Sequence, residues 1–169
     1  MLCYNITIMT RPADTLDPGA IARQLAIAEQ LCARRGSRLT PLRRQVLEAL
    51  LRHPGSLKAY ELLALLQGSL PGAAPPTVYR ALDFLTAQGL IHRLDAVNAW
   101  SACTDAGGEP HDLLLVCPRC GRVAELNDPA LGQQLARCVA RAGFALAGHE
   151  ADLPELRALC GRCAAQPEA

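Results

Sequence analysis

Eight cysteines stand in this chain of 169 residues, at positions 3, 32, 103, 117, 120, 138, 160 and 163. Four of them form two pairs, Cys117-Pro-Arg-Cys120-Gly and Cys160-Gly-Arg-Cys163. A Cys-x-x-Cys turn points two thiolates at one tetrahedral ion, and Gly121 and Gly161 relax the backbone where its amides turn toward sulfur. Two such knuckles predict a closed four-cysteine zinc site, in which the ion also contributes folding free energy. Residues 121–159 between them exceed a compact zinc ribbon, so that segment must hold structure of its own. Disulfides in a secreted protein are disfavoured, because the N-terminus has no Lys or Arg before Arg11 and its apolar stretch is broken by Asn5, Thr7 and Thr10. A redox Cys-x-x-Cys is disfavoured because there are two pairs.

The other cysteines read differently. Cys32 falls on the apolar stripe Ile21, Leu25, Ala28, Leu31, and Cys138 on Leu131, Leu135, Val139, Ala142; both are expected to fill core. Cys3 lies in an expected N-terminal tail. Cys103 is on no helical stripe. It precedes a loop, Thr104 to Pro110, and His92, His111 and Glu125 lie around it in sequence. The chain has only four histidines, so two near this cysteine are noticeable. One Cys, two His and one Glu would offer two nitrogens, one sulfur and one oxygen, and the thiolate favours zinc over iron or manganese. A histidine is more often a surface residue than a ligand, and spacing alone does not bring these four together.

These side chains need elements to hold them. Amphipathic helices are predicted from about Ala20 to Arg35, from Thr40-Pro41 to His53, from about Leu57 to Gln67, and from Pro76-Thr77 to before Gly89. Leu90–Leu94 and Ala99–Cys103 read as a hairpin. Three helices, a fourth presenting Thr77, Tyr79 and Arg80 on its first turn, and then a hairpin is the order of a winged helix-turn-helix. Arginine can fork onto guanine, while Thr and Tyr hydroxyls reach phosphates or base edges; a solvated surface arginine is the plain alternative for Arg80. The second half predicts strands at Leu113–Val116 and Arg122–Leu126, a helix from Asp128-Pro129 to about Ala142, a strand starting at Phe144–Ala147, and Leu156–Leu159 leading into the second knuckle. A unit this small needs a staple or a partner subunit. The fold class expected is α+β, with five stretches: 1–17 a flexible tail, 18–103 a winged-helix DNA-binding domain, 104–111 a hinge, 112–165 a small α/β dimerisation and zinc-binding domain, and 166–169 a tail.

Composition agrees with a folded domain. Hydrophobic residues make up 50% and charged residues 20%, while aromatics are only 4%, so the core must be aliphatic. No run approaches the 18 apolar residues of a membrane span. The net charge of +1 hides an asymmetry: residues 1–95 carry 11 basic and 7 acidic side chains, residues 96–169 carry 6 and 9. Basic density peaks at Arg34, Arg35, Arg38, Arg43 and Arg44, with no acid among them. A polyanion partner is one reading of this, a solvated helix face the other.

Over about residues 20–165 the chain resembles the ferric uptake regulator family of metal-sensing bacterial repressors, and within it the zinc uptake regulators. The likeness is carried by Arg38-Leu-Thr-Pro-Leu-Arg43, Ala59-Tyr60-Glu-Leu-Leu63, Pro75-Pro-Thr-Val-Tyr-Arg-Ala-Leu-Asp-Phe-Leu85, Gly89-Leu-Ile-His92, and the two knuckles, the first continuing to Glu125. The resemblance implies a cytoplasmic homodimer with no enzymatic activity and two zinc ions per protomer. One is structural, on Cys117, Cys120, Cys160 and Cys163. The other is regulatory, at the hinge, on His92, Cys103, His111 and Glu125. It further implies that Tyr60 and Arg80 contact operator purines, and that the zinc-loaded dimer binds palindromic operators and represses zinc-uptake genes. Arg43 and Arg44 are expected to face phosphates. There are departures. Pro110-His111-Asp112-Leu113-Leu114 lacks the His-rich run of iron sensors, leaving His149 as the one spare candidate for a third metal site, read as a surface residue. Lys58 stands where relatives often have a small capping residue, and Gly148–Pro154 looks longer than usual, so Glu150, Asp152 and Glu155 are assigned to no metal. Other readings are a relative that senses iron or peroxide, a zinc hydrolase using Glu125, and a zinc-stabilised interaction module that binds no DNA.

Overall fold

The structure is a computed structural model and describes residues 7–10, 16–68, 74–108, 111–145 and 154–166. In chain order these form β1 (Thr7–Thr10), α1 (Pro18–Arg34), α2 (Pro41–Arg52), α3 (Ala59–Gln67), α4 (Pro75–Ala87), β2 (Ile91–Leu94) and β3 (Ala99–Ala102). There follow β4 (Leu113–Val116), β5 (Val123–Asn127), α5 (Pro129–Arg141), β6 (Glu155–Arg157) and α6 (Gly161–Ala164).

Helix starts follow the local chemistry. Asp17 accepts from the Ala20 amide at 2.9 Å, with Pro18 opening α1. Asp128 accepts from the Ala130 and Leu131 amides at 3.0 and 3.1 Å, opening α5 at Pro129. These side chains satisfy amides that the first helical turn leaves without partners. Thr40 holds the extended N-cap conformation before α2 but makes no side-chain cap bond. Lys58 cannot accept one; instead the Glu61 carboxylate reaches back to the Lys58 amide at 2.7 Å, which is half of a capping box and fixes the start of α3.

The four helices of the first half enclose an aliphatic core. Val46, Leu50, Leu62, Leu82 and Leu85 are fully buried, and Cys32 is buried with them as its stripe predicts. Each such side chain contributes about 1.5–3 kcal/mol of burial. The β2–β3 hairpin closes this core, and Leu57 and Trp100 exchange two 2.8 Å backbone hydrogen bonds that dock its edge onto the turn before α3. The second half is a four-stranded sheet of order β1-β5-β4-β6, antiparallel except for the β4–β6 pair. A small second core joins the halves: Leu94 and Val97 of the hairpin pack with Leu114, Val116 and Val123 of the sheet.

Three expectations need correcting. Where a flexible tail was expected, Thr7–Thr10 form the edge strand β1, with Thr7 opposite Asn127 and Thr10 opposite Ala124. A four-residue strand is too short to show a period in sequence, and it forms because β5 offers an unpaired edge of amides and carbonyls. Cys138 does not fill core: it is exposed, and no residue of α5 is buried within one chain. Periodicity shows that a helix has an apolar face, not what covers it. Phe144 and Ala145 form no strand, and Phe144 is 73% exposed; the rest of that segment, His149, Glu150 and Asp152 lie outside the described residues, as does Cys3.

Candidate metal centres and nucleic-acid face

The first cluster is built by two turns at one end of the sheet. Cys117 follows β4, and the chain reverses so that the Gly121 amide donates to the Cys117 carbonyl and the Cys117 amide to the Arg122 carbonyl, both at 2.9 Å. Gly121 takes a φ of 68°, which a side chain would strain, and an added Cβ would lie 2.7 Å from the Ser56 hydroxyl. Cys160 precedes α6, and Cys163 lies within it. The ligand atoms of Cys117, Cys120, Cys160 and Cys163 all lie within 4.8 Å of one another, with Cys120 Sγ 3.6 Å from Cys160 Sγ. The thiols are unequal. Burial pushes Cys117 up, but the amides of Cys160, Cys120 and Arg119 outweigh it and bring its pKa to about 6. Cys160 is lowered by the Cys163 amide. Cys163 is raised to about 12, chiefly by its contact with Cys120 and then by burial. Cys117 is thus favoured as a thiolate and Cys163 disfavoured, as expected of like charges crowded together.

The second cluster lies where the halves meet. His92 comes from β2 and Cys103 follows β3; His111 precedes β4 and Glu125 lies on β5. All four are buried, Glu125 at 2% exposure and Cys103 at 4%. Their ligand atoms also lie within 4.8 Å of one another. His111 Nε2 is 3.4 Å from Cys103 Sγ and 3.1 Å from one Glu125 oxygen, and His92 Nε2 is 3.2 Å from the other. Although that close, His92 Nε2 makes no hydrogen bond of proper geometry, and it is buried, as is the unpartnered Nδ1 of His111. A buried polar nitrogen without a partner is costly, and a nitrogen aimed at three other donor atoms fits a metal ion. Glu125 is held by the Thr104 amide, 3.1 Å from each carboxylate oxygen, and by the Thr104 hydroxyl. Burial alone would push Glu125 up; the close approach of His92, with Thr104 and His111, pulls it below its ordinary value. Cys103 is pushed strongly upward by burial and then by the charge of Glu125. Thr104 was not singled out in the sequence. It neighbours Cys103, but nothing in its spacing marks it as a carboxylate holder.

The remaining predicted site residues lie on the helical half. Thr77, Tyr79 and Arg80 are exposed on the first turns of α4. α4 opens on Pro75 and Pro76, which have no amide hydrogen, and the Thr77 amide donates to the Ala74 carbonyl at 2.9 Å, so this end presents side chains rather than free amides. Tyr79 packs edge-on against Trp100, centroids 6.0 Å apart, which fixes its ring. Tyr60, on the first turn of α3, is 65% exposed. Arg43 and Arg44 are engaged within the chain. The Arg43 guanidinium lies 3.4 Å over the Phe84 ring and donates to the Arg38 carbonyl at 2.7 Å; Arg44 pairs with Glu29.

Residues 34–153 match the model of the ferric uptake regulator family. The chain belongs to that family. It is 39% identical over 140 residues to the zinc uptake regulation protein of Escherichia coli K12, covering 82% of this chain and 80% of that protein. A solved structure described as a zinc uptake regulator complexed with zinc and DNA matches at 39% identity with a TM-score of 0.74, over 85% of this chain and 95% of that one. The regulator XcZur has been solved in two states. Its holo form matches with a TM-score of 0.69 at 38% identity, over 86% of this chain and 99% of that one. Its apo form matches with a TM-score of 0.50 at 39% identity, over 87% and 99%. The chain therefore overlays better on the holo than on the apo form of that relative.

Proposed function

We propose that this chain is a zinc-responsive DNA-binding repressor, acting as a homodimer in the cytoplasm on palindromic operators of zinc-uptake genes, with two zinc ions per protomer. The observation that carries this reading is the buried His92, Cys103, His111 and Glu125 cluster, two of whose members come from the winged-helix half and two from the sheet half. The domains we propose are residues 18–103 for DNA binding and 112–165 for dimerisation, joined through 104–111, with β1 added to the sheet.

The donor set fits zinc. Bound there, zinc would supply a divalent charge that holds the Cys103 thiolate in an otherwise unfavourable setting. His92 and Cys103 would then be tied to His111 and Glu125, favouring the arrangement in which both halves are docked. A ligand shifts such an equilibrium only by its extra affinity for one state. Because the cluster is complete only when the halves meet, these four residues supply that difference. Cys117, Cys120, Cys160 and Cys163 would hold the other ion inside one half and act as a staple. In the dimer the two α4 helices would present Thr77, Tyr79 and Arg80, with Tyr60 beside them, to successive major grooves. The exposed apolar face of α5 would be covered by the second protomer. No helix is long and apolar enough to cross a membrane among the described residues.

The thiolate at Cys103 disfavours an iron or peroxide sensor. Hydrolysis is disfavoured because four protein donors would leave no position for a reactive water. Cys103→Ser is expected to abolish zinc-dependent retardation of a duplex in a mobility-shift titration while leaving a folded dimer by sizing and circular dichroism. An unchanged zinc response would overturn the sensing assignment.

A further inference from the structure

The two halves touch at a point that involves no metal ligand. Residues Asp95–Asn98 turn β2 into β3, and Asn98 takes a left-handed φ of 50°. The amides of Asp95 and Ala96 both point out of this turn, and both donate to the Glu155 carboxylate, at 2.8 Å to one oxygen and 3.0 Å to the other. Glu155 opens β6, which is hydrogen-bonded in parallel to β4, with Glu155 opposite Leu114 and Leu156 opposite Leu115. Cys160 lies five residues further on. The carboxylate is therefore fixed from both sides, by the sheet and by the cysteine knuckle. Beside this contact Leu94 and Val97 meet Leu114, Val116 and Val123, so the bonds lie at the rim of an apolar seam.

Two adjacent amides aimed at one carboxylate form a small anion nest, and charge-assisted bonds of this kind are roughly twice as strong as neutral ones. We infer that Glu155 is a positioning residue of the zinc response: it latches the tip of the wing to the sheet and presets the arrangement in which His92 and Cys103 meet His111 and Glu125. The inference rests on the function proposed above. Its consequence follows from linkage. Whatever Glu155 adds to the docked arrangement is added to the apparent zinc affinity of the second cluster, and hence to DNA binding at limiting zinc. The four-cysteine site gains a second role on this view, since it anchors the strand that carries the latch.

The test compares full-length wild type, Glu155→Gln and Glu155→Ala. The DNA probe is the duplex that zinc-loaded wild type selects from a random library, and zinc affinity is read separately by competition with a chromophoric chelator. Glu155→Ala is expected to weaken zinc binding at the exchangeable site, and the zinc level that half-saturates DNA binding, by about five- to thirtyfold. Glu155→Gln keeps one neutral acceptor and is expected to fall between, and it serves if the alanine variant does not fold. All three proteins should keep the tightly held zinc and the dimer. Wild-type DNA binding that ignores zinc would defeat the proposed function. A normal wild-type response with unchanged zinc affinity in both variants would defeat the latch alone, and loss of dimer and tight zinc in Glu155→Gln would show that Glu155 is only part of the staple.

Discussion

The two four-donor clusters are alike in size and opposite in kind. In both, the ligand atoms lie within 4.8 Å of one another. The cysteine cluster draws its members from two turns of one sheet domain, and its backbone amides bring Cys117 to about 6. The mixed cluster draws them from both halves, and there burial drives Cys103 upward, away from the thiolate a metal needs. A site whose four donors all lie within one folding unit binds its ion as that unit folds and is expected to be hard to empty. A site whose thiolate must be made at the moment of binding, and whose donors meet only when two units dock, responds to metal supply. Burial and connectivity separate staple from switch; ligand count does not.

The largest effect that could break this comparison is expected from Cys117→Ser. A structural zinc site supplies about 10–16 kcal/mol of apparent binding free energy in small peptides, against a total stability of about 5–15 kcal/mol for an ordinary domain. Thermal unfolding and sizing should show the sheet half unfolded or monomeric. Cys103→Ser should do the reverse, sparing the fold and removing the zinc response, so that similar losses of stability in the two variants would erase the distinction.

Acidity should also separate the clusters. Zinc binding at the mixed site must expel the Cys103 proton, so affinity there should rise about tenfold per pH unit near neutrality in a competition titration. Glu125 adds a stability contribution of the opposite range. Its pKa is lowered on folding, so the stabilisation is present above its unfolded value and is lost as pH falls through the lowered folded value. Metal-free protein titrated into acid should therefore loosen only below the ordinary carboxylate range.

The smallest expected effect concerns the proposed DNA-reading face. Arg80→Ala should cost about 1–3 kcal/mol of operator binding and relax preference at one base position, as read by selection from random DNA. Equal loss on selected and random duplexes would show that Arg80 reads no base.

Much of this was legible in the sequence because it is local. The helix ends predicted at Arg35 and about Ala142 are followed by Gly36 and Gly143, which take positive φ there, at 66° and 81°. The knuckles are legible because three residues of spacing fix the geometry of each pair. The mixed cluster is not local: His92 and Glu125 belong to different sheets, and only the resemblance joined them before the fold did. Thr104 and Glu155 stayed hidden for the same reason, since each acts on a residue distant in the chain. β1 was missed because a four-residue edge strand is defined by its partner. The misreading of Cys138 has a different source. The stripe on α5 is real, but a single chain does not cover it.

The most direct test is to count zinc per protomer by native mass spectrometry, before and after mild chelation, alongside binding to the selected duplex. Two ions are expected, one tight and one exchangeable, with DNA binding lost as the second leaves and regained when it is restored. Undiminished DNA binding by protein holding only the tight ion would contradict the account.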